Sequence, residues 1–221
     1  MMNLPFTRDQ FLMVFQEYNL SVWPMQIVLV VLALTATYFA VVRYRSSNAI
    51  IAIVLSFLWV WMGVGYHFRY FTAINPAAYA FGSLFVIQGL IFVVSGVFRG
   101  SLSIEFRSDL PGIVGAILLL YALIAYPILG YFQGHVYPQS PTFGLPCPTT
   151  IFTFAVLLWA DRKVPVYVLV IPCLWSLIGS TAAVSLGILE DIGLFVAGVC
   201  ATTLVVMRNR REGRDALDAA Y

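Results

Sequence analysis

The stretch VRYRSSNAIIAIVLSFLWVWMGVGYHFRY, from Val42 to Tyr70, decides the fold. Arg43 and Arg45 close one apolar run, a short polar turn follows, and the next run carries no charge from Ala49 to Tyr66. An uncharged run of that length reads as a helix that crosses a bilayer, because about 20 apolar residues span the hydrocarbon. The two runs with a basic turn between them form a unit, and the rest of the chain repeats it.

Working outward, span one covers about Val22 to Val42, span two Ala49 to Tyr66, span three Ala78 to Phe98 and span four Pro111 to Phe132. Span five is the ambiguous one. Its apolar run, Thr150 to Ala160, reaches full length only with Thr142 to Thr149, so it is expected to be broken or kinked at that end by Pro146 and Pro148. Span six covers Val164 to Ala183 and span seven Ile192 to Met207. Ahead of them, Thr7-x-x-Gln10 reads as a capping box, with Phe11, Leu12, Phe15 and Tyr18 at helical spacing. The expectation is an all-α polytopic bundle of about seven spans (21–207), preceded by a short amphipathic interfacial helix (1–20) and followed by a basic cytoplasmic tail (208–221).

Composition agrees. Of 221 residues, 61% are hydrophobic and only 10% charged, where a soluble domain would carry roughly 25% charged residues. With α-helical spans and short loops using the whole length, no separate soluble domain is expected. The net charge of +2 gives no basic face for nucleic acid.

The basic residues report orientation instead. With the N-terminus outside, Arg43, Arg45, Arg99, Arg107, Arg162, Lys163, Arg208, Arg210, Arg211 and Arg214 fall inside, and only Arg8 and Arg69 outside. Ten against two is a strong positive-inside bias. The start lacks a basic n-region, so span one is expected to stay as an anchor rather than be cleaved. Cys147, Cys173 and Cys200 form neither a disulfide framework nor a zinc knuckle by spacing.

Unusual chemistry concentrates in three connections on the outer side: Tyr66-His67-Phe68-Arg69-Tyr70, then Gly134 to Thr150, then Glu190-Asp191. His67, Arg69, His135, Tyr137, Cys147, Thr149 and Thr150 are the candidate ligand-binding residues. Three prolines and a glycine at membrane depth need a cavity or protein around them, and the helix start near Thr149 would favour an anion. The alternative is a rigid plug. His67, His135, Cys147, Glu190 and Asp191 are also a conceivable metal set, with a bis-histidine haem as a variant. No spacing pairs them, however, and interfacial histidines bonded to loop backbone are the plainer reading. Arg69 could brace Glu190 and Asp191 or clamp an anion.

Within the spans no Asp, Glu, Lys, Arg or His occurs away from the ends, which argues against ion-coupled transport. Gln88, Thr35, Thr37, Ser176, Ser180 and Thr181 read as helix-to-helix hydrogen bonders. Gly82-Ser83, Gly89, Ser95-Gly96 and the run Ser176 to Ala183 read as close-packing sites. No retinal lysine, phosphate loop or nucleophile elbow is present.

The blocks Asn75 to Gly82, Gly134 to Pro138 with Pro141 to Thr153, and Ile171 to Gly179 resemble a family of bacterial multispanning membrane proteins catalogued only as a domain of unknown function. The resemblance implies a bacterial inner-membrane protein and brings no activity, cofactor or catalytic residue. The seven-span plan also resembles small sugar transporters built from two three-helix repeats, but spans one to three and five to seven show no repeat. The leading functional expectation is an outward-facing pocket that binds or passes a small polar solute or ion. The second is an accessory subunit held by other membrane subunits or by a second copy, with lipid as the common partner. A metal-dependent membrane enzyme using His135 and Cys147 ranks third.

Overall fold

The computed structural model describes residues 5–218. Helix α1 covers Arg8–Val22, α2 Met25–Val41, α3 Ser47–Ala73, α4 Ala78–Phe98, α5 Leu110–Phe132, α6 Pro146–Leu158, α7 Val166–Leu186 and α8 Ile192–Asp218. Five of these, α3, α4, α5, α7 and the helix through Leu189–Arg211, are long and apolar enough to cross a bilayer, and six if α1 and α2 form one broken span. The chain bends by 86° between α1 and α2, where Trp23-Pro24 interrupts the backbone ladder. From α2 to α8 seven rods alternate in direction, so the basic turns gather at one end and α1 lies across the other.

The capping box forms as the sequence predicts: the Gln10 N–H donates to Thr7 Oγ1 at 3.3 Å and the Thr7 N–H to Gln10 Oε1 at 2.8 Å. The apolar stripe of α1, with Val14, Phe15 and Tyr18, is buried. It packs on the end of the bundle, and the Trp61 indole donates to the Tyr18 hydroxyl at 2.7 Å. Residues 1–4 of the expected N-terminal segment lie outside the described residues.

Span five is where the structure departs most from expectation. Helix α6 starts cleanly at Pro146 and has 13 residues, with no helical extension back to Thr142. It is short because it is central. Twelve of its residues are buried, as expected for a helix apolar on every face, and α2, α5, α7 and α8 surround it. The Trp59 indole on α3 donates to Thr153 Oγ1 at 2.9 Å and ties it to the fifth neighbour. The other rods all expose large apolar side chains, such as Ile27, Ile53, Leu90, Ile117, Leu177 and Phe195, which suits contact with lipid.

Glycines set the α3–α4 spacing. A Cβ at Gly63 would lie 2.7 Å from the Gly82 carbonyl oxygen, and one at Gly89 2.9 Å from that of Ser56. The polar residues behave differently from expectation. Gln88 does cross to α7, donating to the Val168 carbonyl at 3.0 Å. The hydroxyls of Thr35, Thr37, Ser176, Ser180 and Thr181 instead donate to carbonyls three or four residues back on their own helices. A hydroxyl always has such an oxygen within reach, so it needs no partner helix.

At the basic end, charged side chains hold the turns. Arg43 pairs with Glu105 and reaches Asp161 at 3.4 Å. The Ala160 carbonyl, just past α6, accepts from both Arg107 and Arg208. Asn209 exchanges two hydrogen bonds with the Val164 backbone, at 2.8 and 3.2 Å. Helix α8 runs unbroken past residue 208 to Asp218, and residues 219–221 lie outside the described residues.

Candidate functional site

The end of the bundle under α1 encloses a cavity of about 150 Å³. Its roof is the aromatic stripe of the N-terminal segment, Phe6, Phe11 and Phe15. Tyr66 and Phe71 from the end of α3, Phe81 from α4 and Trp175 from α7 form the walls, with Gly179, Ala182 and Ala183 leaving the space open. At its base stand the start of α6, Pro146-Cys147-Pro148, Tyr126 from α5 and Asp191.

Local sequence explains this placement. Helix α5 widens into a π turn over Tyr121–Ala125 directly before Pro127, which has no N–H to continue the ladder, and the widened turn turns Tyr126 inward. A similar π turn, Met62–Phe68, carries Tyr66 and His67. Such turns recur at functional sites. Gly187, at φ +71°, ends α7 in the left-handed conformation that glycine adopts without steric cost, and the chain doubles back so that Glu190 and Asp191 face into the bundle.

Two polar links meet there. The Tyr126 hydroxyl donates to Asp191 Oδ1, and the Cys147 thiol lies against the Asp191 carboxyl and the Trp175 indole. In the second link, Arg8 Nη2 lies 2.9 Å from His135 Nε2, and His135 Nδ1 lies 2.6 Å from Glu190 Oε1. An arginine can only donate, so Nε2 must be the acceptor and His135 is the neutral Nδ1–H tautomer. This chain latches α1 to the turn between α7 and α8. The Tyr121 hydroxyl donates to the Glu190 carbonyl at 2.7 Å and fixes the same turn.

Asn19 is the second anchor of the lid. Its side-chain amide donates to the Pro138 and Ser140 carbonyls at 2.7 and 2.8 Å, and its Oδ1 accepts from Thr142 at 2.7 Å. The loop 133–145 is thereby tied to α1.

A family model described as Family of unknown function (DUF6064) matches residues 8–216. The chain belongs to this family. No curated protein and no solved structure matches the chain. The DUF6064 match begins at the latch residue Arg8 and ends at residue 216, within α8, so it takes in α1, the bundle and every cavity-lining residue except Phe6.

The structure separates the residues that the sequence grouped. Of His67, Arg69, His135, Tyr137, Cys147, Thr149 and Thr150, only Cys147 lines the cavity. His67 is fully buried behind its wall, with rings of Tyr66, Phe71, Phe81, Phe85 and Trp175 at 4.7 to 6.0 Å and no hydrogen-bond partner on either nitrogen. The interfacial reading of His67, with loop backbone as partner, is thus replaced by an aromatic cage. Arg69 stays exposed and donates to the Tyr70 hydroxyl at 3.2 Å; the brace to the acidic pair comes from Arg8 through His135. Tyr137 points out and donates to the Asn19 carbonyl at 3.4 Å. Thr149 accepts the Gly144 N–H at 3.1 Å, and Thr150 is buried in the bundle.

The metal reading of His67, His135, Cys147, Glu190 and Asp191 does not survive the geometry: among the described residues no three His, Cys, Asp or Glu side chains could hold one ion. His135 spends both nitrogens on Arg8 and Glu190, and the aromatic cage holds His67 apart. The start of α6 is also no anion site. Pro146 and Pro148 lack N–H donors, and the Asp191 carboxyl lies against the Cys147 side chain there.

Arg8, Asn19, Tyr126 and Trp175 were not singled out by sequence. Asn19 is a lone amide beside an apolar run, a signal that could have been used. Tyr126 and Trp175 are hidden in a chain that is 15% aromatic.

Proposed function

We propose that this chain is a multi-pass protein of the bacterial inner membrane, with α1 outside and the basic end in the cytoplasm, whose lidded cavity binds a small, mainly apolar molecule. The observation that carries this reading is the cavity itself, roofed by a helix that two polar anchors hold in place. Native interiors are close-packed, and voids of this size are few, whereas binding sites are concave, mainly apolar and supplied with a few placed polar groups. The cavity fits that description better than a site for a strongly hydrated solute or an inorganic ion. A path across the bundle lacks support, since α6 fills the axis. The ten-to-two distribution of basic residues supports the orientation.

Ethylbenzene provides the test. It should raise the melting temperature of the purified protein, because a ligand that binds only the folded state stabilises it. It should leave Ala182→Trp, whose ring fills the cavity, unshifted. An equal shift in both would sink the pocket reading. Orientation is checked separately in intact cells: on a background with the native cysteines replaced by serine, a membrane-impermeant thiol reagent should label Gln139→Cys and spare Arg210→Cys.

A further inference from the structure

Resting on that pocket reading, we infer that the occupant is a small organic cation, an ammonium group on an apolar body, with Asp191 as its counter-charge. Eight of the nineteen lining residues are aromatic, and ring faces attract a desolvated cation with about 0.5 to 2 kcal/mol each. Among the described residues, Asp191 is the one lining residue with a formal charge, and no basic side chain lines the space. An anion is therefore repelled, while a purely apolar guest would leave the carboxyl without use.

The local charge count points the same way. Glu190 and Asp191 are both buried, at 1% and 4% exposure. Among the described residues, the one cation bonded into their cluster is Arg8, and it spends its contact on a neutral imidazole rather than on either carboxyl. Two carboxyls stand against one guanidinium, so a cation beside Asp191 would balance the cluster without a buried carboxyl having to stay protonated. Tyr126 and Cys147 supply Asp191 with neutral partners only.

Trp175 adds a further requirement. It lines the cavity at 8% exposure, and its Nε1–H has no partner beyond the Cys147 thiol, a weak acceptor. Buried donors are rarely left unmade, so the occupant should offer an acceptor near its charge. Both Trp175 and Asp191 touch the Cys147 thiol, which places acceptor and ammonium a short distance apart. A β-hydroxy ammonium meets both demands. Choline is such a molecule, and it is little larger than benzene, which a cavity of about 150 Å³ holds.

The experiment compares choline with its neutral carbon isostere, 3,3-dimethyl-1-butanol, by titration calorimetry on the full chain in a sugar-headgroup detergent. Choline should bind at least about tenfold more tightly, and Asp191→Asn, which keeps an acceptor for Tyr126, should abolish the difference. Equal binding of the two probes to the wild-type protein overturns the cation inference and leaves the pocket standing, without requiring any variant to fold. A preference that survives in Asp191→Asn also overturns it. If neither probe nor ethylbenzene binds, the pocket reading fails as well. A phospholipid headgroup presents the same chemistry, so the titration is repeated in bilayer discs of phosphatidylcholine and of phosphatidylglycerol. Competition confined to the former assigns the site to a headgroup, and equal choline binding in both assigns it to the free cation.

Discussion

The two ends of the bundle solve the same problem in opposite ways. Both must accommodate polar atoms where helices stop. At the basic end, arginine and asparagine side chains answer backbone carbonyls one by one: Arg107 and Arg208 on Ala160, Arg208 on Arg162, and Asn209 on Val164. At the lidded end, polar atoms are left unanswered. Both nitrogens of His67 and Glu190 Oε2 are buried without partners, and the Trp175 indole N–H has only the weakly accepting Cys147 thiol. Each unmade bond of this kind costs about 1 to 3 kcal/mol. Asp161 Oδ1 is likewise unanswered at the basic end, so the contrast is one of degree. The basic end is the more fully braced, and the lidded end holds the proposed site.

The comparison can be broken by mutation. Arg208→Ala removes a charged donor from the part-buried Ala160 carbonyl and the exposed Arg162 carbonyl and should destabilise the protein by about 2 to 3 kcal/mol, read as a lowered denaturation midpoint in detergent. A loss under about 1 kcal/mol would mean that the basic end is not a brace. Asn19→Ala frees the loop 133–145 from α1 and should cost about 2 kcal/mol. It should also speed proteolytic cutting near Gln139, while cutting near Arg162 stays unchanged.

The third substitution has the opposite sign. His67→Phe replaces a buried, unpartnered imidazole by a ring among rings, and should stabilise the empty protein by about 1 kcal/mol. Destabilisation of that size would show that the imidazole has a partner in solution and would erase the contrast between the ends. The smallest effect is at Asp109, which caps α5 by accepting from the Gly112 N–H at 3.2 Å. Asp109→Ala should cost about 0.5 to 1 kcal/mol near neutral pH. Partial burial pushes this carboxyl up, but the Arg107 guanidinium and the Gly112 N–H outweigh it and hold it below the ordinary value. Its stabilisation is therefore present above the unfolded value and lost as pH falls through the folded one. Wild type and variant should begin to converge below about pH 4.

Much of the bundle was legible from the chain. Span three was read as Ala78 to Phe98, and α4 has those bounds. The basic turns punctuate the sequence at every second connection, and the structure collects them at one end. Span five was not legible, because hydropathy measures length and cannot tell a short span from a helix buried on all sides. The candidate site was legible in its neighbourhood and not in its membership. Cys147 and Asp191 were named, yet their partners Tyr126 and Trp175 sit in the middle of apolar runs, and Arg8 lies 127 residues from His135.

The sequence by itself determined an all-helical chain of apolar rods, the cap of α1 and the grouping of basic residues, since these depend on composition, period and spacing along the chain. Only the tertiary structure decided that α6 is central, that α1 is a lid, and that one carboxyl faces an aromatic cavity. Those facts depend on which side chains meet across distant helices, and no local pattern carries that information.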